Sequence, residues 1–224
     1  MEEIQSQISF IKEKIEGYRE KKLMLFASSS FQTHSIPMLH IISNIDNTIP
    51  VYFLNTGFHF PETIQYKEQI QCFLDIKVID VKSPIPKSSQ RDSGKKLYFA
   101  SNPDYCCYLN KTLPMEPILA ENDIWIVGVR RDQNQNRKSF EYEENGPFNT
   151  KRFHPMLEWN SKMIWQYIKE HDIPKHPLDD KGYLSIGCEP CTHKIDISGD
   201  AVRDGRWFGL NKTECGLHTD LIVK

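Results

Sequence analysis

The sequence predicts an α/β protein built on a doubly wound parallel sheet, and three observations carry that reading. Short apolar runs that suit strands recur at residues 23–27, 50–54 and 124–127, and residues 76–81 alternate as a further strand does. Helical patterns separate them, at residues 35–45, 61–74 and from Pro103 onward. Polar or glycine-bearing turns close three of the strands: Ser28-Ser29-Ser30, Asn55-Thr56-Gly57 and Gly128-Val129-Arg130-Arg131. Ligands of such sheets bind beyond the carboxyl ends of the strands, so these turns are the first candidates for a site.

Residues 2–20 place Ile4, Ile8, Ile11 and Ile15 at helical spacing among charges, which predicts an amphipathic helix packed as a lid or a subunit contact. After the first strand, the serine turn precedes an apolar helix, an arrangement in which backbone N–H groups face an anion. Neither a G-x-G-x-x-G nor a G-x-x-x-x-G-K-[ST] pattern is present, and three serines by themselves are commonly just a capped turn. Pro61 and Glu62 start the next helix, in which Cys72 lies beside Phe73 and Leu74 and is expected to be a buried structural thiol. Residues 82–101 read as a connecting loop, and residues 132–151 as polar and irregular. A helix over residues 161–170 turns Met163, Ile164, Tyr167 and Ile168 inward.

Composition narrows the function. The 224 residues, 39% hydrophobic, are enough for one domain with its own core. Lys and Arg number 28 against 30 Asp and Glu, a net charge of −2, which argues against a nucleic-acid binder. No apolar run approaches the roughly 18 residues of a membrane span. The opening Met-Glu-Glu-Ile-Gln-Ser-Gln is acidic and polar, unlike a signal or transit peptide, so the cytoplasm is the expected location.

Six cysteines in a chain that needs no disulfide staples point to metal binding or catalysis. Cys188-Glu189-Pro190-Cys191 is a C-x-x-C motif that alone suits zinc, an iron–sulfur cluster or a redox pair. The vicinal Cys106-Cys107 supplies two more thiols. Adjacent cysteines strain to reach one tetrahedral zinc, whereas each can bind a different iron of a cubane, so ligand arithmetic favours a [4Fe–4S] cluster. Lys111, one helical turn past Cys107, is placed to offset the cluster's negative charge, although a solvated lysine is the ordinary alternative. Cys215 stands apart, nine residues from the end, with Lys212 and His218 each three positions away. Either cation favours the thiolate, and Gly216 lets the chain turn beside it. The plain alternative is an incidental thiol in a loose tail. Arg203 and Arg206 lie between the two cysteine motifs, where they suit an anionic substrate.

These motifs together resemble the assimilatory adenylylsulfate (APS) and phosphoadenylylsulfate (PAPS) reductases of the iron–sulfur type, over residues 23–218. Gly182-Tyr183-Leu184-Ser185-Ile186-Gly187-Cys188-Glu189-Pro190-Cys191-Thr192 is similar to their cluster loop, and Gly205-Arg206-Trp207 with Lys212-Thr213-Glu214-Cys215-Gly216-Leu217-His218 to their catalytic tail. Asn55-Thr56-Gly57, Pro61-Glu62-Thr63 and the segment from Gly128 to Gln133 match their adenosine-site segments.

The resemblance implies a Rossmann-like sheet of the adenine-nucleotide alpha hydrolase kind, in one domain over residues 1–224. Its parts are an N-terminal helix (1–22), a nucleotide-binding core (23–181), and a cluster loop with a mobile catalytic tail (182–224). It implies Cys106, Cys107, Cys188 and Cys191 as cluster ligands with Lys111 paired to the cluster, and Cys215 as nucleophile. It implies a substrate site of Ser28, Ser29, Ser30, Thr56, Gly57, Gly128, Arg130 and Arg131, with Arg137, Arg203, Arg206 and His218 on the phosphosulfate. The expected partner is thioredoxin or a glutaredoxin-like dithiol donor, and the expected assembly a homo-oligomer.

Two departures touch substrate recognition: Asn110 stands where an arginine is frequent, and the Ser-Ser-Ser-Phe loop is closer to PAPS-using members. Lys138 and Lys151 are the candidates to receive a 3′-phosphate, while cluster-bearing members mostly use APS. Two rivals remain at this stage. One is an ATP pyrophosphatase or sulfur-insertion enzyme of the same fold, whose Ser-Gly-Gly-x-Asp-Ser loop is missing here. The other is a four-cysteine zinc module that binds nucleic acid.

Overall fold

The computed structural model describes residues 2–133 and 135–194, together with Arg206, Trp207, Leu217 and Leu221. Leu25–Ser28 (β1) is the axis of a six-stranded sheet. It pairs in parallel with Val51–Leu54 (β2) on one side and Ile124–Val127 (β4) on the other. Val78–Val81 (β3) adds in parallel outside β2, so four of the expected strands form as the sequence predicts. Two-residue alternation then sorts the side chains. Leu25, Ala27, Val51, Phe53, Ile124 and Ile126 enter one core; Phe26, Trp125 and Val127 enter a second on the opposite face.

The first core is covered by Glu2–Glu20 (α1), Ile36–Asp46 (α2), Pro61–Leu74 (α3) and a C-terminal helix, Ser161–Glu170. That last helix buries Met163, Ile164, Tyr167 and Ile168, the face the periodicity predicts, and Asn160 caps it by accepting the Met163 N–H at 3.0 Å. Among the described residues no helix is long and apolar enough to cross a membrane.

Three expectations require correction. Residues 132–151 contain strand rather than only irregular chain: Glu143–Asn145 (β5) runs antiparallel to Lys151–Phe153 (β6), and β6 is parallel to β4. The polar composition hid β6 because its central residue, Arg152, is fully buried, with its guanidinium 5.1 Å from the Trp125 ring and 5.8 Å from Phe140. The connecting segment 82–101 ends in a helical turn, Tyr98–Ser101 (α4). Cys72 is exposed, not buried, because α3 turns Thr63, Tyr66, Lys67, Ile70 and Leu74 inward and leaves Cys72 on the opposite face.

Glu143 ties α1 to the sheet edge. Tyr18 Oη and Lys14 Nζ donate to its Oε1 at 2.7 and 2.8 Å, and Lys151 Nζ lies 3.2 Å from Oε2. Burial raises the Glu143 pKa, but these donors outweigh it and hold the carboxyl at about 2. A depressed carboxyl stabilises fully above its ordinary value of 4.5, and that stabilisation is lost as the pH falls through about 2. Glu143→Gln is therefore expected to lower the melting temperature by about 2–4 °C at pH 7, as a partly screened loss of ~1 kcal/mol would. The deficit relative to wild type should shrink towards pH 2. Thermal melts from pH 2 to 7 check this, and a pH-independent deficit would count against the charge.

Candidate active site

The carboxyl ends of β1, β2 and β4 open into one cleft. After β1 the serine turn is rigidly built: Ser28 Oγ accepts from Trp125 Nε1 at 2.8 Å. Ser29 Oγ accepts the Phe31 N–H at 3.1 Å and donates to Ser35 Oγ. Phe31 adopts a left-handed conformation (φ 51°) that a non-glycine residue tolerates here because its ring is fully buried edge-on against Phe53. Ser28, Ser29, Ser30, Gly128 and Arg137 all line this cleft, Arg137 with its Nη1 donating to Gln133 Oε1.

The structure does not bring every sequence candidate there. Arg130 is buried with its guanidinium committed to Asp132 (2.9 Å) and Ser161. Arg131 turns to the Phe140 carbonyl and to Glu158. Thr56 lines the neighbouring cysteine cavity, with Oγ1 3.3 Å from Cys188 Sγ, and Gly57 is exposed beside Lys87. Cys215, Arg203 and His218 lie outside the described residues. Leu217, two positions after Cys215 in the sequence, lines the cleft.

The cysteine cavity is assembled from two distant segments. Asn102 accepts the Tyr105 N–H at 3.0 Å and starts the short helix Pro103–Cys107 (α5). A π-helical turn, Tyr108–Thr112, follows and leads into Leu113–Ala120 (α6). Wide turns of this kind recur at functional sites, and this one carries Asn110 and Lys111. The C-x-x-C closes as a single helical turn, Glu189–Cys191, in which Cys191 N–H donates to the Cys188 carbonyl at 3.0 Å. Its position is set by β2's exit: Glu189 N–H donates to the Phe58 carbonyl at 2.7 Å, and His59 bridges Cys188. Cys106, Cys107, Cys188 and Cys191 thereby line one cavity.

Their proximity shows in their acidity. Burial, then the neighbouring Cys107, Cys188 and Cys191, pushes the Cys106 thiol up to about 12, with Lys111 pulling the other way. Burial and the same crowding raise Cys191, against Lys111 and Arg206. Four thiolates so placed repel one another and need a cationic centre among them, so the donor set fits a thiolate-ligated metal group. Among the described residues no three Cys, His, Asp or Glu side chains converge as ligands of a single ion.

Arg206 links the two spaces. Its Nε and Nη1 donate to the Cys191 and Ile186 carbonyls at 3.3 Å each, and its guanidinium lies 4.7 Å from the Trp207 ring. Gly187 leaves room for it: a Cβ there would stand 2.3 Å from the guanidinium, which would have to shift. Lys111, Cys188, Arg206 and Trp207 face both the cleft and the cysteine cavity. Sequence reasoning overlooked His34 and His59 in the cleft wall. Both are neutral imidazoles near pH 7. Burial, reinforced by Arg130, takes His34 down to about 4. Burial takes His59 to about 4 as well, with Lys111 and Arg206 adding to it against the Leu54 carbonyl. No motif marks either, because a lone histidine, whether in the polar turn that holds His34 or between Phe58 and Phe60, carries no spacing signal.

The fold and the site define an α/β protein on a largely parallel sheet, whose cleft at the strand ends shares a wall with a thiol-lined cavity. The phosphoadenosine phosphosulfate reductase domain family matches residues 24–194. An adenosine 5′-phosphosulfate reductase of Bacillus cereus (strain Q1) is 37% identical over 205 residues, covering 90% of this chain and 87% of that protein. A phosphoadenylyl-sulfate reductase from Candida auris shares the fold, with a TM-score of 0.68 at 20% identity over 84% of this chain and 95% of that one. The Candida glabrata FMN adenylyltransferase shares it more distantly, with a TM-score of 0.62 at 12% identity over 99% of this chain and 75% of that one. The chain belongs to the phosphoadenosine phosphosulfate reductase domain family, and it is an oxidoreductase acting on sulfonucleotides.

Proposed function

We propose that this protein reduces adenylylsulfate to sulfite and AMP, with thioredoxin or a similar dithiol as reductant, in cytoplasmic sulfate assimilation. The observation that carries the reading is the shared wall: Lys111 and Arg206 stand between the cleft at the strand ends and four clustered thiols. The Cys215 thiolate attacks the sulfur of the bound substrate, the S–O bond to the phosphate breaks, and AMP leaves with that bond's electrons. The resulting S-sulfocysteine is attacked at Cys215 Sγ by a dithiol, which releases sulfite and leaves a mixed disulfide that the second thiol resolves. Covalent catalysis thus divides one reduction into two displacements. A thiolate approaching an anion is opposed by charge, and Lys111, Arg137 and Arg206 are the described basic groups lining the cleft that offset it. Arg203 and His218 are proposed to add to them.

A [4Fe–4S] cluster is the group this donor set suits: Cys106, Cys107, Cys188 and Cys191 would hold it, and it would supply electrostatic and positional support rather than redox equivalents. Lys111, which lines both spaces, would offset its charge. The protein is expected to work as a homo-oligomer.

APS is favoured over PAPS by the substrate named for the Bacillus relative and by where the two candidate lysines stand. Lys151 begins β6, at the end of the sheet opposite the cleft, and is paired with Glu143. Lys138 is exposed and does not line the cleft. Neither is placed as a 3′-phosphate clamp. Anaerobic sulfite release with each nucleotide, one thioredoxin and fixed salt should give a kcat/KM at least about tenfold higher for APS, the discrimination of one charged hydrogen bond. A tenfold advantage for PAPS would overturn the substrate and leave the Cys215 chemistry standing.

A further inference from the structure

The connecting segment and the π turn meet in a buried pair of amides, Gln90 and Asn110, exposed by only 1% and 2%. Gln90 Nε2 donates to the Ile85 carbonyl at 2.8 Å and to Asn110 Oδ1 at 3.0 Å. Asn110 Nδ2 donates back to Gln90 Oε1 at 2.6 Å. It also donates to the Cys106 carbonyl at 2.9 Å and lies 3.7 Å from Cys106 Sγ. The orientation is forced. A carbonyl only accepts, so the Gln90 NH2 must face Ile85; its oxygen then faces Asn110, whose NH2 must face Cys106.

We propose that Asn110, aimed by Gln90, is a positioning residue whose second N–H is shared between the Cys106 carbonyl and the Cys106 thiolate, a bifurcated N–H···O/N–H···S contact that orients this ligand and stabilises its charge. The inference rests on the cluster reading above. It assigns a task to two residues that the family motifs do not include, one of them in a segment the sequence marks only as a connector. A neutral donor suits this corner. It adds no charge beside Lys111, and its two partners leave no buried amide atom unsatisfied on either side. Outer-shell donors of this type fix ligand geometry and tune the charge on sulfur.

The test uses anaerobically purified holoprotein, as wild type and as the double variant Gln90→Leu/Asn110→Leu. Replacing both amides by apolar groups of similar shape removes the pair together, so neither amide is left facing an apolar partner, and the Ile85 and Cys106 carbonyls are the acceptors that lose a donor. Wild type should show an iron–cysteinyl sulfur stretch in resonance Raman that moves on exchange into D2O, and the double variant should lose part of that shift. Iron loss to a chelator should be about tenfold faster in the double variant, equivalent to about 1.4 kcal/mol. Gln90→Met alone, which leaves Asn110 present but unaimed, should fall between the two. A wild-type spectrum insensitive to D2O, or a double variant matching wild type in both spectrum and iron loss, would overturn this inference alone. Wild-type protein purified without iron would overturn the cluster reading and the inference together.

Discussion

Cys215→Ser is expected to release no measurable sulfite, a fall of at least about 10³-fold, because a hydroxyl cannot replace a thiolate as nucleophile at neutral pH. Binding of APS should change by less than about twofold, and iron content should stay at the wild-type value, since Cys215 is separate from the four clustered thiols. The same variant should form no covalent sulfo adduct when mixed with APS in the absence of reductant, whereas wild type should form one, readable by intact mass. Normal turnover by the serine variant would move the nucleophile elsewhere. The expectation draws on the cation-flanked setting of Cys215 and on Leu217, which lines the cleft two residues later in the chain.

The second large effect is expected at Cys191, whose side chain is buried against Trp207. Wild-type protein prepared without oxygen should contain iron and acid-labile sulfide near four each per chain, as cubane ligation requires. Cys191→Ser should bring both below about one and bleach the visible absorption. Sulfite release should drop with it, by about 10²-fold. The Cys191 carbonyl accepts from Arg206 Nε and from the Trp207 N–H, so a loosened turn also loosens the cation facing the cleft. A variant with its full complement of iron would remove Cys191 from the ligand set, and stoichiometric zinc in active wild type would remove the cluster.

Much of the fold is legible from local chemistry. The apolar runs at 23–27 and 124–127 became β1 and β4, central strands buried on both faces that need no polar alternation, whereas 50–54 became the half-buried β2 and the alternating 76–81 the partly exposed edge strand β3. The helix start at Pro61 and the inward face of Ser161–Glu170 follow from capping and period alone. The strand Lys151–Phe153 was not legible, because Arg152 counts as polar in a sequence and becomes core only when Trp125 and Phe140 stack on it. Cys72 was misread for the related reason that apolar neighbours in sequence do not share a helix face.

The site divides along the same line. The sequence by itself determined the chemistry available: six thiols spaced as a vicinal pair, a C-x-x-C, a helix cysteine and a tail cysteine, with cations close to three of these groups in the chain. Residue type and short spacing decide what a group can do, and both are local. Only the tertiary structure decided which groups meet. It brought Cys106 and Cys107 into one cavity with a turn some 80 residues later, which the Phe58 carbonyl and the His59 bridge hold at the exit of β2. It turned Arg130 and Arg131 away from the cleft towards Asp132 and Glu158, and it brought Gln90 from a connector onto Asn110 beside Cys106. Those choices depend on packing between segments distant in sequence, where a buried donor or charge must find its partner wherever the fold has placed one.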